Sequence, residues 1–565
     1  MHAIRSLVPV VALALAAGLP IFACAASHDD AADGPSLDSG FADAAVDTSP
    51  ADTAPPAFDV PAEVAPDAAP PPDPTTCDEA KTSKTYLGCD FWPTVTANRV
   101  WEVFDFAAIV ANAGDVEAHI TVTGPGGFTK EAIVGPNRLV KVYLPWVSAL
   151  KGPEGDSCGN SEGLTGSVRA DKSAFHVVTT RPVAVYQFNA LEYKGEGGPG
   201  GKSWASCPGD EVCKMPDGTF TLPLGCYSFT NDASLLLPTT ALTGNYRITG
   251  QHGAPGATPF IAITGTEDGT DVTITLGSKS RIAPGGVILA TSAGKQAKFK
   301  LGQGDVLELI GGASASSDFS GSLVQATKPV QVISGVPCIQ QPSGVDACDH
   351  IEESVFPAET LGKHYVVTVP TGPNGDVVGH IVRIYGNVDG TTLTYKPAAP
   401  KGAPTTINAG GVYDLGVVAD DFEVTGDQSF AVGSFMLGGT LLDPDPVDGI
   451  AKGDPSQSML SAVEQYRLKY VFLAPDDYIV SYVDVVGPSD AALTLDGAPV
   501  TEVSTPIGGS GFGVTRILLG AGEVGAHALT STKPIGIQVM GYGEFTSYQY
   551  PGGLNLQAIA PPPVK

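Results

Sequence analysis

The sequence predicts an all-β protein: four tandem β-sandwich-like repeats behind a disordered acidic stalk, with a β-propeller built from the same repeats as the alternative. Three observations carry this. First, one phrase recurs, as Thr180-Arg181-Pro182-Val183-Ala184-Val185, Thr327-Lys328-Pro329-Val330-Gln331-Val332 and Thr532-Lys533-Pro534-Ile535-Gly536-Ile537. Pro ahead of alternating β-branched residues suits the start of a half-buried strand, where no ladder N–H is needed, and recurrence at long spacing marks repeated units. Second, 69 Gly and 47 Pro with 16 % charged residues in 565 favour short strands and turns over long amphipathic helices. Third, residues 25–76 hold eleven Asp or Glu, ten Pro and no Lys or Arg, too little apolar surface to form a core.

Taken in order, residues 1–24 read as an export signal. Arg5 precedes an apolar run from Leu7 to Phe22, too short for a standard membrane span. Ile21-Phe22-Ala23-Cys24 resembles the lipobox of bacterial lipoproteins, which makes Cys24 the lipidated residue. Cleavage after Ala25 at an A-x-A site is the competing reading. The stalk 25–76 follows, with an extended limit of roughly 160 Å. The repeats are then expected at 77–228 (with a disulfide-pinned insertion), 229–348, 349–442 and 461–556. A linker at 443–460 and a tail at 557–565 complete the chain. Three openings pair Pro with an aromatic eight residues later: Pro93 with Trp101, Pro238 with Tyr246, and Pro357 with Tyr365. The fourth, Val463 to Tyr470, lacks the Pro. Inside the units, apolar runs flank Asp-Gly turns, as in Phe260–Ile263, Glu267–Thr270 and Val272–Leu276, a hairpin signal.

Nine cysteines leave eight once Cys24 is set aside as the lipid anchor. An exported chain meets an oxidising compartment, so four disulfides are expected. The shortest loops join Cys77 to Cys89, Cys207 to Cys213 and Cys338 to Cys348, leaving Cys158 with Cys226, one of 105 connectivities.

The net charge of −29 argues against nucleic acid and against adsorption to anionic lipid. Gly200-Gly201-Lys202-Ser203 lacks the Gly of a phosphate loop, because Glu196 stands there. No catalytic constellation and no cofactor motif emerge. Cys348, Asp349, His350 and Glu353 crowd together without the second cluster a zinc site needs. Asp443, Asp445 and Asp448 are weak calcium candidates whose spacing fits no EF-hand. The loop 191–228 is the candidate recognition surface, with Trp204 as anchor beside Tyr193 and Tyr227, since aromatics on a pinned loop order at low cost.

The segment from Lys328 to Val367 carries Cys338, Cys348-Asp349-His350, Glu352-Glu353, and Pro357 through Tyr365. In these residues it resembles the N-terminal domain of the IgG-Fc-binding protein family, in its bacterial lipoprotein form. The resemblance extends over roughly 229–550, and residues 86–190 look like a version of the first unit. The mucin-like members' GDPH motif is here only Gly453-Asp454-Pro455-Ser456, read as a turn. The resemblance implies an extracellular protein or glycan partner, IgG Fc by the family's name. The sequence thus predicts an exported, lipid-anchored, cell-surface binding or adhesion protein of the bacterial envelope, and no enzyme. A structural envelope protein without a ligand, or an enzyme with a site between repeats, are the alternatives.

Overall fold

The computed structural model describes residues 72–563, except 155–160, 200–201, 205–206, 208–226, 255, 313, 315, 448, 477, 521 and 523–524. The described chain is almost entirely β, and each repeat is a pair of antiparallel layers of four or five strands.

The second repeat shows the plan. Its outer sheet runs Gln296–Leu301, Thr270–Thr275, Leu323–Ala326, Asn245–Arg247. Its inner sheet runs Val306–Ile310, Phe260–Gly265, Val330–Ile339, Asp349–Ser354, with Val168–Ala170 of the first repeat added at the Val306–Ile310 edge. The other three repeats keep this order. Side-chain pattern decides which strand goes where. Thr270–Thr275 buries alternate residues and suits a sheet with one wet face, whereas Phe260–Gly265 is buried on both faces and suits the inner layer. The turn between them, expected to close a hairpin, therefore carries the chain from one sheet to the other. The same holds for His380–Gly386 and Thr391–Lys396.

The repeated Pro phrase marks the opposite crossing. In the first and fourth repeats one long strand, His176–Phe188 or Ala526–Gly543, pairs with outer strands up to the residue after Pro182 or Pro534 and with inner strands from there on. In the second repeat Leu323–Ala326 is outer and Val330–Ile339 inner, with Pro329 between. A residue without an N–H belongs where the ladder changes partner.

The aromatic openings lock this crossing. The hydroxyls of Tyr246 and Tyr365 donate to the carbonyl oxygens of Val330 (2.6 Å) and Phe430 (2.7 Å), and that of Tyr470 to Ile535. Each also accepts the amide three residues earlier, from Thr243, Gly362 and Arg467. Tyr365→Phe is expected to destabilise the protein by about 1–2 kcal/mol, because it strands a buried carbonyl and an amide; urea denaturation measures it. The first repeat departs from this alignment. Its first outer strand is Gly88–Phe91, so Pro93 and Trp101 lie beyond it, in the loop before Phe106–Asn112.

Each inner sheet ends in a short strand, and these four strands meet. Ala233–Leu236 and Gln457–Met459 each lie against both Asp349–Ser354 and Thr546–Pro551. The four inner sheets therefore stand like the blades of a four-bladed propeller around a hub of four strands. Sandwich repeats and propeller arrangement, posed as alternatives, coexist at two levels of one fold. Each hub strand closes the inner sheet of the repeat before it in sequence, pairing Ala233–Leu236 with His176–Phe188 and Asp349–Ser354 with Val330–Ile339.

Residues 84–86 close the ring. The Tyr86 amide donates to Leu554 O (3.1 Å) and the Leu556 amide to Lys84 O (2.8 Å), with Thr85 bridged to Asn555. Gly553 sits at φ +147°, where an added Cβ would stand 2.6 Å from the Tyr86 ring. Gly553→Ala is expected to cost about 1–3 kcal/mol, through backbone strain and overpacking at the seam; a fall in Tm reports it. Residues 72–76, placed in the stalk by composition, are docked here: Asp73 pairs with Arg467, and Thr76 caps the helix Cys77–Ser83.

Candidate functional site

The hub gathers the residues that carried the family resemblance. Asp349, His350, Glu352 and Glu353 lie on one hub strand and are fully buried. Glu352 is the most heavily bonded. Its Oε1 accepts from Gln187 Nε2 (2.7 Å) and Ser234 Oγ (3.1 Å). Its Oε2 accepts from Asn189 Nδ2 (3.2 Å) and Thr96 Oγ1, and lies 3.2 Å from His350 Nε2. Burial alone would raise this carboxyl's pKa, but the bond and charge of His350, with Gln187 and Thr96, hold it below the usual glutamate value.

Asp232, which the sequence did not single out, stands where all four hub strands converge. Its Oδ1 accepts the amides of Ala233 (2.9 Å) and Gln549 (3.3 Å); its Oδ2 accepts those of Glu352 (3.0 Å) and Gln457 (3.0 Å). One carboxyl group therefore bonds to a backbone amide on or beside every hub strand. Asp349 closes the adjoining corner, accepting from Thr546 Oγ1 (2.9 Å) and the Ser547 amide (3.3 Å).

Burial pushes the carboxyls of Asp232, Glu308, Asp349, Glu353 and Asp454 well up, and the charge of Asp454 adds to the effect at Asp349. At the joint of the third and fourth repeats burial pushes Asp484 up to about 6, against its bonds from Thr371 and the charge of Arg516. The sign follows by linkage: a folded carboxyl with a raised pKa binds protons that the unfolded chain releases, so stability falls as pH rises toward the folded value. Tm is expected to rise as pH is lowered from 7.5 to about 5. A Tm that falls over that interval contradicts the burial of these groups.

The remaining candidates fall elsewhere. The expected pairs Cys77–Cys89 and Cys338–Cys348 are both disulfides. Cys207 is disulfide-bonded, while Cys24, Cys158, Cys213 and Cys226 lie outside the described residues. Pro357 precedes the 3-10 turn Ala358–Thr360 that leads into Tyr365. Asp443 is buried and accepts from Asn374 Nδ2 (2.9 Å) and the Lys452 amide (3.2 Å), Asp445 is exposed, and Asp448 is outside the described residues. Among the described residues no three His, Cys, Asp or Glu side chains gather as a metal site.

Tyr193 is a correction. Expected on an exposed loop, it is fully buried between Tyr227 and Tyr478, in the core shared by the first and fourth repeats. Tyr227 is half-buried against it. Trp204 is half-buried in a separate cluster. Its ring lies 5.3 Å from that of Phe104, which Trp101 also packs against at 6.4 Å. The Trp146 indole donates to Phe104 O at 2.7 Å. Lys202 Nζ sits 4.4 Å over the Trp204 ring while pairing with Asp105 (2.6 Å) and Glu192 (3.7 Å). Burial pushes Glu192 up to about 7, with Lys202 opposing and Asp105 adding. Three of the chain's four Trp residues thus share one half-buried patch on the first repeat.

Fold and hub together define a ring of sandwich repeats in which the motif acids hold the ring shut. The chain belongs to the family described as IgGFc binding protein, which its residues 232–541 match. Over 341 residues it is 26 % identical to the IgGFc-binding protein of Homo sapiens. That alignment covers 59 % of this chain and 6 % of the human protein, so the chain spans a small part of that relative's length. Among solved structures, an anti-sigma factor domain-containing protein from Clostridium clariflavum is 15 % identical, with 56 % of this chain and 83 % of that one covered and a TM-score of 0.10. A tetra-tandem repeat from the extending region of a large adhesion protein is 13 % identical, with 83 % and 99 % covered and a TM-score of 0.08. Neither likeness bears on the fold.

Proposed function

We propose that this chain is a surface binding protein, exported and held to the bacterial envelope by a lipid on Cys24, whose ligand contacts the aromatic patch of the first repeat. The observation that carries the reading is a division within the molecule. The family match begins at Asp232 and takes in three of the four hub strands and most of the second to fourth repeats, whereas the patch of Trp101, Trp146 and Trp204 lies wholly ahead of it. Half-buried Trp side chains on a rigid scaffold supply large contact area at small entropic cost, and such anchors dominate affinity. The partner class is an extracellular protein or glycan. IgG Fc, which the family's name states for the relatives, is the first protein to test.

The test is binding of the purified protein to IgG Fc, envelope polysaccharide and matrix protein, read by surface plasmon resonance. A saturable partner whose affinity falls about 30-fold in Trp204→Ala, roughly 2 kcal/mol, with Tm nearly unchanged, supports the reading. Saturable binding that Trp204→Ala leaves intact moves the ligand off this patch. Absence of any saturable partner favours a structural envelope protein. The anchor is tested separately: Cys24→Ala is expected to leave the membrane fraction, because the attached acyl chains supply the membrane affinity. Retention in membranes at high salt contradicts it.

A further inference from the structure

We infer that the Cys77–Cys89 disulfide is a force bypass that keeps tension on the N-terminal tether away from the ring closure. The use of such a device rests on the tethering proposed above; its mechanics do not.

The ring-closing residues 84–86 lie inside the loop that this disulfide seals. Any pull from upstream enters at Asp73 and reaches Cys77. There the covalent bond passes it to Cys89, whose Cα is only 5.7 Å away. Residues 78–88 are left off the load path. Cys89 lies on Gly88–Phe91, which pairs antiparallel with His176–Phe188, placing Gly88 opposite Val183 and Phe91 opposite Val177. That partner is the long strand shared by both sheets of the first repeat, so tension spreads into the whole sandwich.

Without the bond the path would differ. Tension at Cys77 would first unwind the helix Cys77–Ser83, which at seven residues has little stability of its own. It would then reach Lys84, Thr85 and Tyr86, whose pairing with residues 554–556 consists of the two backbone hydrogen bonds that close the ring. Bonds loaded one after another give way singly, and residues 84–86 would peel from 554–556, uncovering one edge of the core that the first and fourth repeats share.

The experiment pulls the full chain in optical tweezers, with one handle ahead of residue 72 and the other on the exposed turn at Lys401. In the Cys77→Ser/Cys89→Ser variant an early, low-force step is expected, releasing about 12 residues, or about 35–40 Å. The oxidised wild type is expected to lack it. With both handles on the body, at Val287 and Lys401, the two proteins are expected to rupture alike, which separates a load path from general destabilisation. If the variant does not fold, wild type is pulled before and after phosphine reduction and compared at the first step of the tether geometry alone, because reduction also opens Cys338–Cys348 between the body handles. Identical first steps in the tether geometry, or a difference that persists in the body geometry, overturn the inference. Neither outcome depends on whether Cys24 is lipidated.

Discussion

Replacing Asp232 with Ala is expected to cost about 4 kcal/mol or more and to leave the ring partly or wholly unfolded at ambient temperature. The carboxyl accepts four backbone amides, those of Ala233, Glu352, Gln457 and Gln549, all in fully buried surroundings. Alanine strands every one of them, and each buried donor left without an acceptor costs about 1–3 kcal/mol. A domain has only about 5–15 kcal/mol to lose. Asp232→Asn keeps the volume and one acceptor oxygen but turns an amide group toward the remaining donors, so an intermediate loss is expected. Urea denaturation followed by tryptophan fluorescence reports both variants. A wild-type midpoint for Asp232→Ala would show that the hub does not hold the repeats together.

Glu352→Ala is expected to have the second largest effect, about 3–5 kcal/mol, the range seen when one partner of a buried charged pair is removed. Four of the carboxylate's partners, Thr96, Gln187, Asn189 and Ser234, come from the first repeat or its hub strand, so the loss falls on the joint between the first and second repeats. The fifth, His350, would keep a buried ring without its acid. This group also has the opposite pH sign to its neighbours. Its folded pKa is lowered, so its stabilisation is present above the unfolded glutamate value and lost as pH falls below about 4. Wild type is therefore expected to show a stability maximum in mild acid. Glu352→Gln is expected to lose less on further acidification than wild type, and circular dichroism melts across pH 3–7 check it.

Much of the fold was legible because it is local. Pro182, Pro329 and Pro534 mark the places where the chain leaves one sheet for another, and a missing N–H shows in any sequence. Tyr246, Tyr365 and Tyr470 recur at nearly fixed distance from the repeat openings because each must reach the carbonyl at its own crossing. The hub was not legible as a hub. Its strands are short and polar, as in Gln457-Ser458-Met459, and lack the apolar alternation that marks a half-buried strand. Their burial comes from three other strands more than eighty residues away in sequence. Asp232 is one acid in a polar stretch, and the donors that give it meaning sit at 352, 457 and 549. The motif acids from Asp349 to Glu353 signalled the family without signalling their role. Tyr193 failed for the same reason: its place on a disulfide-pinned loop suggested exposure, but Tyr478 of the fourth repeat covers it. The Asp-Gly turns misled differently. Turn chemistry specifies a reversal of the chain, and only the burial of both flanking strands tells a hairpin from a crossing between layers.

The most direct test of the account is hydrogen exchange at the amides of Ala233, Glu352, Gln457 and Gln549, compared between wild type and Asp232→Asn. If one carboxyl group binds the four inner sheets into a ring, these amides rank among the slowest in the wild type. In the variant all four accelerate together, although they lie in four separate stretches of the chain. Acceleration confined to residues next to 232, with 352, 457 and 549 still protected, would contradict the hub.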